Sequence, residues 1–200
     1  MLQYFFIVTA PVFLSAGIYA VFSVLIKRVG KEYSFLSPKW VLAIFVSSDA
    51  VMTIVQIAGA ALIGAAESKD KDPNTGRLIL MAGLAIQVAS FFVFLILLGD
   101  FLHRSRKVLW GRQGEMGGKR AFIVAFVTAT LLVYLRTCFR LAEVAQGVEA
   151  YLFTHEAFFA CLEFAPIAGA MLLFNIWHPG RCLRKQGEAT RIATAEGSKA

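Results

Sequence analysis

The sequence predicts an all-α, polytopic transmembrane helix bundle of five spans, with the amino terminus outside and the carboxyl terminus in the cytoplasm. Three observations predict it. Of 200 residues 58% are hydrophobic and 16% charged, with a mean hydropathy of +0.67. A soluble domain carries about a quarter charged residues and cannot hide so much apolar surface. The apolar residues also gather in runs of the roughly 20 residues that cross a hydrocarbon core. Finally, Lys and Arg gather in alternate connecting segments, as cytoplasmic loops require.

The first span covers about 4–26. It lacks a basic n-region, its apolar stretch is too long for a cleavable signal, and Lys27 and Arg28 follow it directly. Lys31 and Lys39 complete a basic first loop. The second span, about 40–66, holds Ala58, Gly59, Ala60, Ala61 and Gly64, small residues that permit close helix approach. Its loop, "ESKDKDPNTGR", balances Lys and Arg with Asp and Glu. The third span, about 78–102, leads to a loop with Arg104, Arg106, Lys107, Arg112, Lys119 and Arg120. The fourth, about 121–146, is followed by "GVEAYLFTHE", which has no Lys or Arg. The fifth, about 157–177, contains Ala165 and Gly169, and Pro166 can bend it. Residues 1–180 therefore form the bundle. Residues 181–200, polar and without apolar period, read as a flexible cytoplasmic tail bearing Arg181, Arg184, Lys185, Arg191 and Lys199.

The fourth span raises the question of function. Its apolar run from Ala121 to Leu135 is only about 15 residues, too short to cross, so the helix continues through Arg136 and past Arg140. Arg136, Arg140 and Glu143 stand at i, i+4 and i+7 and share one helical face. A charge near mid-membrane costs about 2.5–3.5 kcal/mol on insertion scales, so partners are expected. Asp49 lies about nine residues into the second span and Gln56 follows on the same face. Gln87 falls at similar depth in the third span, and Glu163 enters the fifth about one and a half turns down. Two arginines then have Glu143, Asp49 and Glu163 within reach, which implies a polar interior in the middle and outer half of the bundle. Three plainer readings stand beside it: Arg140 snorkelling to headgroups, a structural ion network without a ligand, and neutral carboxyls in apolar surroundings.

Several functions fall away. The net charge of +7 resides in loops flanking apolar runs, and no face mixes basic and aromatic residues as a nucleic-acid binder does. "GRQGEMGGKR" fails as a P-loop because Gln113 and Arg120 stand where Gly and Ser or Thr are required. The histidines do not converge on a metal: His155 is placed at the outer face, His103 and His178 at the inner one. No Ser or Cys has a His and a carboxylate at catalytic spacing, so the chain is not read as an enzyme and no cofactor is expected. Cys138, Cys161 and Cys182 give no disulfide framework.

The run "YLRTCFRLAEVAQGVEAYLFTHEAFFACLEFAPIAGAMLLFNIWHPG" resembles the end of the fungal lipid-translocating exporter family, the Rta-like proteins. Arg136, Arg140, Glu143, Gly147, His155, Glu156, His178, Pro179 and Gly180 stand at the places of that family's pattern. "SSDAVMTIVQIAGAAL", with Asp49 and Gln56, resembles its Asp-and-Gln helix. "AGLAIQVASFFVF", with Gly83 and Gln87, resembles its Gly-Leu-x-x-Gln helix. The likeness covers residues 5 to about 182. Glu163 replaces the usual Asp, and Phe139 the usual Tyr. "APVFLSAGIY" resembles the family's third span, so the resemblance implies a chain without the first two of seven spans, which preserves the orientation derived from the loops.

The resemblance implies an integral protein of the fungal plasma membrane or an internal membrane. Its expected partners are membrane lipids and an amphiphilic substrate, and the family is associated with outward movement of sphingoid long-chain bases and resistance to toxic lipids. The polar residues expected to serve are Asp49, Gln56, Gln87, Arg136, Arg140, Glu143, His155, Glu156 and Glu163. Two other readings remain at this point: a seven-helix-receptor-like sensor of lipid stress, and an inactive truncated member.

Overall fold

A computed structural model describes residues 2–30, 37–68, 72–110, 117–146 and 164–176. Among the described residues there are five helices and no strand: α1 Leu2–Val29, α2 Pro38–Glu67, α3 Asn74–Trp110, α4 Gly117–Gln146 and α5 Ala165–Ile176. The helices overrun the apolar runs of the sequence. At 37 residues α3 is about 55 Å long, well beyond a hydrocarbon core of about 30 Å, so it must tilt or protrude. Local chemistry sets the ends. Pro38 opens α2, where its missing N–H costs nothing, and Ser37 before it is extended. Asp72 accepts from the backbone N–H of Asn74 at the start of α3. Gly30 closes α1 with φ 131°, a conformation that residues with a Cβ rarely adopt.

Each helix packs antiparallel to the next, and α1 also meets α3 and α4, which closes the bundle. Apolar residues stand on its outside as well as in its core. Phe13, Trp40, Ile54 and Leu78 expose between 64% and 75% of their surface. Asp49, Gln56, Gln87, Arg136, Arg140 and Glu143 are instead buried. In water that arrangement would expose apolar surface to no advantage; in lipid it satisfies both faces. The segments Pro38–Ala66, Asn74–Arg104 and Ala121–Ala145 are long and apolar enough to cross a membrane. Val12–Lys27 and Ala165–Ile176 are shorter apolar helical segments among the described residues.

Since lipid tails are as apolar as leucine, packing and hydrogen bonds must hold such helices together. One device is an aromatic lattice. Tyr19, Phe22, Phe45, Phe91, Phe94 and Phe101 interlock across α1, α2 and α3, mostly edge to face, with Tyr19 and Phe94 centroids 4.7 Å apart. Such pairs contribute about 0.5–1.5 kcal/mol each beyond area. The other is a glycine seam between α2 and α3. A Cβ at Gly59 would lie 2.8 Å from the backbone nitrogen of Leu80, and one at Gly76 2.8 Å from that of Ile63. The two backbones touch there. Gly59 was singled out by the sequence; Gly76, hidden in a polar loop motif, was not.

Candidate functional site

The buried polar residues fall on three levels along the bundle axis. Four hydroxyls drop out first, because each is satisfied by its own helix: Thr53, Ser105, Thr130 and Thr137 donate to the carbonyl four residues earlier. Apart from Ser23, what remains reaches across helices or carries charge.

The first level joins α1 to α2. Asp49 is 1% exposed. Tyr19 OH donates to its Oδ2 at 2.9 Å, and Ser15 Oγ lies 2.9 Å from the same oxygen. Ser15 is also 3.0 Å from the Val12 carbonyl, so its single proton serves one acceptor at a time. Oδ1 of Asp49 is buried and accepts no hydrogen bond among the described residues. An arginine was the expected partner; the bonds come from hydroxyls of α1. Sequence reasoning missed Ser15 and Tyr19. Their i, i+4 spacing, on the buried side of a span already seen to be helical, was the available signal.

About 10 Å farther along, by helical rise over seven residues, Gln56 Nε2 donates to Gln87 Oε1 at 2.5 Å. Gly83 makes room, since a Cβ there would stand 3.1 Å from Gln56 Cγ. The pair joins α2 to α3 inside apolar surroundings. Gln87→Leu is expected to lower stability by about 1–2 kcal/mol, because it strands the Gln56 amide, and Gln56→Leu in the same chain should restore most of it. Thermal unfolding of the parent and the two variants in detergent micelles measures this.

The third level belongs to α4. Arg136, Arg140 and Glu143 turn into the bundle, with 5%, 8% and 7% exposure, so Arg140 does not extend to a headgroup. Arg140 Nη1 donates to Glu143 Oε2 at 2.8 Å, a pair within one helical turn. The end of this helix is tied to α3. Arg77 donates from Nε to the Val144 carbonyl at 3.1 Å and from Nη2 to the Ala145 carbonyl at 2.6 Å. Those carbonyls lack partners within their own helix, and a guanidinium is suited to them. The exposed Asp100–Arg104 bridge, 2.9 Å, lies at the opposite end and takes no part.

The structure therefore places Asp49, Gln56, Gln87, Arg136, Arg140 and Glu143 inside the bundle, with Gln56 bonded to Gln87 and Arg140 to Glu143. His155, Glu156 and Glu163 lie outside the described residues.

The family model described as "RTA1 like protein" matches residues 1–186. The sphingoid long-chain base transporter RSB1 of Saccharomyces cerevisiae is 34% identical over 94% of this chain and 57% of its own length. Protein RTA1 of the same yeast is 24% identical over 90% of the chain and 56% of its own length. Protoporphyrin uptake protein 1, also from that yeast, is 26% identical over 88% of the chain and 57% of its own length. The chain thus spans somewhat more than half the length of these relatives. No solved structure matches.

Proposed function

The chain belongs to the RTA1-like family, and from that premise we propose that it is a multi-pass membrane protein that moves amphiphilic lipids, sphingoid long-chain bases among them, through a polar path between its helices. The observation that carries the reading is the burial of polar side chains beneath an apolar outer surface. Charged and amide side chains of α2, α3 and α4 are buried in a bundle whose outer surface is apolar. Such groups are costly in a membrane protein and mark substrate paths more often than mere packing does. A lipid with a polar head and an apolar tail meets both environments at once, the head among Asp49, Gln56, Gln87, Arg136, Arg140 and Glu143, the tail among the helices. His155, Glu156 and Glu163 are proposed to extend this path at the outer side.

In this reading there are five spans in this chain, the amino terminus is outside, the basic tail faces the cytoplasm, and the plasma membrane is the site of action. The partners are membrane lipids and the transported amphiphile, and the activity is transport without catalysis.

The test is reconstitution of the purified protein in vesicles with a fluorescent long-chain base and, separately, a fluorescent phospholipid, scored for transfer between leaflets. Transfer of the base at least about 10-fold above protein-free vesicles is expected. Transfer at the protein-free rate for both lipids overturns the reading.

A further inference from the structure

The three polar levels are not equivalent, and the difference points to one of them as the seat of a charge. Glu143 already faces a guanidinium at 2.8 Å. Gln56 and Gln87 are neutral and bonded to each other. Asp49 alone combines an acid, complete burial and an oxygen that accepts no hydrogen bond among the described residues. Among the described residues its hydrogen-bond donors are hydroxyls, Ser15 and Tyr19 on α1, and both address Oδ2. Behind Tyr19 stand the rings of Phe91 and Phe94 from α3, and beside it Phe45 of α2.

Resting on the lipid-moving reading above, we infer that Asp49, with Ser15 and Tyr19, forms a seat for the primary ammonium group of a long-chain amine. Oδ1 accepts one N–H. The lone pairs of the Ser15 and Tyr19 hydroxyls accept others. A hard metal cation is a poorer fit, since it takes about six oxygen ligands and this level offers two carboxylate and two hydroxyl oxygens. An amine bonded to an aliphatic tail needs fewer acceptors and apolar company, which this level has. The seam between α1 and α2 is the route. At this level those helices are joined through side chains, whereas α2 and α3 meet backbone to backbone at Gly59 and Gly76.

The inference concerns selectivity, so its test compares head groups. The purified chain in nanodiscs is offered a fluorescent C18 2-amino alcohol, its N-acetyl derivative and the alcohol lacking nitrogen. The amine is expected to bind about 10- to 100-fold more tightly than either neutral analogue, as charge-assisted hydrogen bonds allow. Asp49→Asn should erase that preference, while Asp100→Asn, which removes an exposed carboxylate, keeps it. Equal binding of amine and N-acetyl analogue by the unaltered protein overturns the inference, as does an Asp49→Asn chain that still prefers the amine. If the Asn variant does not fold, the unaltered protein is treated with a hydrophobic carbodiimide and modification at Asp49 is read by peptide mass. Protection by the amine and not by its N-acetyl analogue supports the seat; equal modification with either overturns it. The parent reading fails separately, when vesicles with the unaltered chain move no lipid at all.

Discussion

Replacing Gly76 with leucine is expected to abolish the native contact of α2 with α3 and leave the protein unable to fold in detergent or in cells. The side chain would have to start 2.8 Å from the Ile63 backbone nitrogen and 2.9 Å from the Gly59 carbonyl oxygen. Neither atom can move without its helix. Overpacking in an adaptable core costs about 1–3 kcal/mol, and here backbone opposes backbone, so the cost should exceed that range. Even Gly76→Ala or Gly59→Ala should lower stability by about 1–3 kcal/mol. The contrast with Gly99 is the control, because a Cβ at that position meets nothing within 4 Å. Thermal unfolding of the alanine series by intrinsic fluorescence, with abundance of the leucine variant in membranes, measures the effect. A Gly76→Leu protein as abundant and stable as the parent would refute the seam.

The second large effect is expected at Arg140. Arg140→Met removes the guanidinium 2.8 Å from the Glu143 carboxylate, and both side chains are about nine-tenths buried. Breaking one partner from a buried ion pair costs about 3–5 kcal/mol, because the Glu143 carboxylate keeps its desolvation penalty and loses the attraction of Arg140. Glu143→Gln should cost less, since the amide keeps an oxygen to accept from Arg140. A double-mutant cycle with Arg140→Met and Glu143→Gln should show a coupling of about 0.5–3 kcal/mol. Additive single effects would mean that the 2.8 Å contact contributes nothing.

Much of this architecture was legible in the sequence, for a physical reason. In a membrane the bilayer itself sorts residues, so the length of an apolar run and the sign of its flanks report directly on span positions. Helicity follows, because unsatisfied backbone groups are too costly in hydrocarbon. The burial of Arg136, Arg140 and Glu143 could be expected from their shared helical face. Which residues would pair was less legible. Pairing depends on the rotation and sliding of one helix against another, which no single span encodes. Asp49 was expected to meet an arginine on charge alone, and it meets Ser15 and Tyr19. Those two looked like ordinary members of an apolar span until α1 was set beside α2. Gly76 escaped notice because "DPNTGR" reads as a turn, whereas α3 begins at Asn74 and places that glycine on a helix.

The pairing of Gln56 with Gln87 also bears on how the chain enters a bilayer during synthesis. Asp49, Gln56 and Arg140 each bond to a side chain on their own helix or on the one next to it in the chain. When α2 emerges from the ribosome, the hydroxyls that Asp49 uses have already been made. The amide of Gln56 needs to wait only for the 31 residues that bring Gln87. An α2–α3 hairpin can therefore leave the translocon as a unit with its two mid-depth amides already matched, so that lipid never solvates either of them alone.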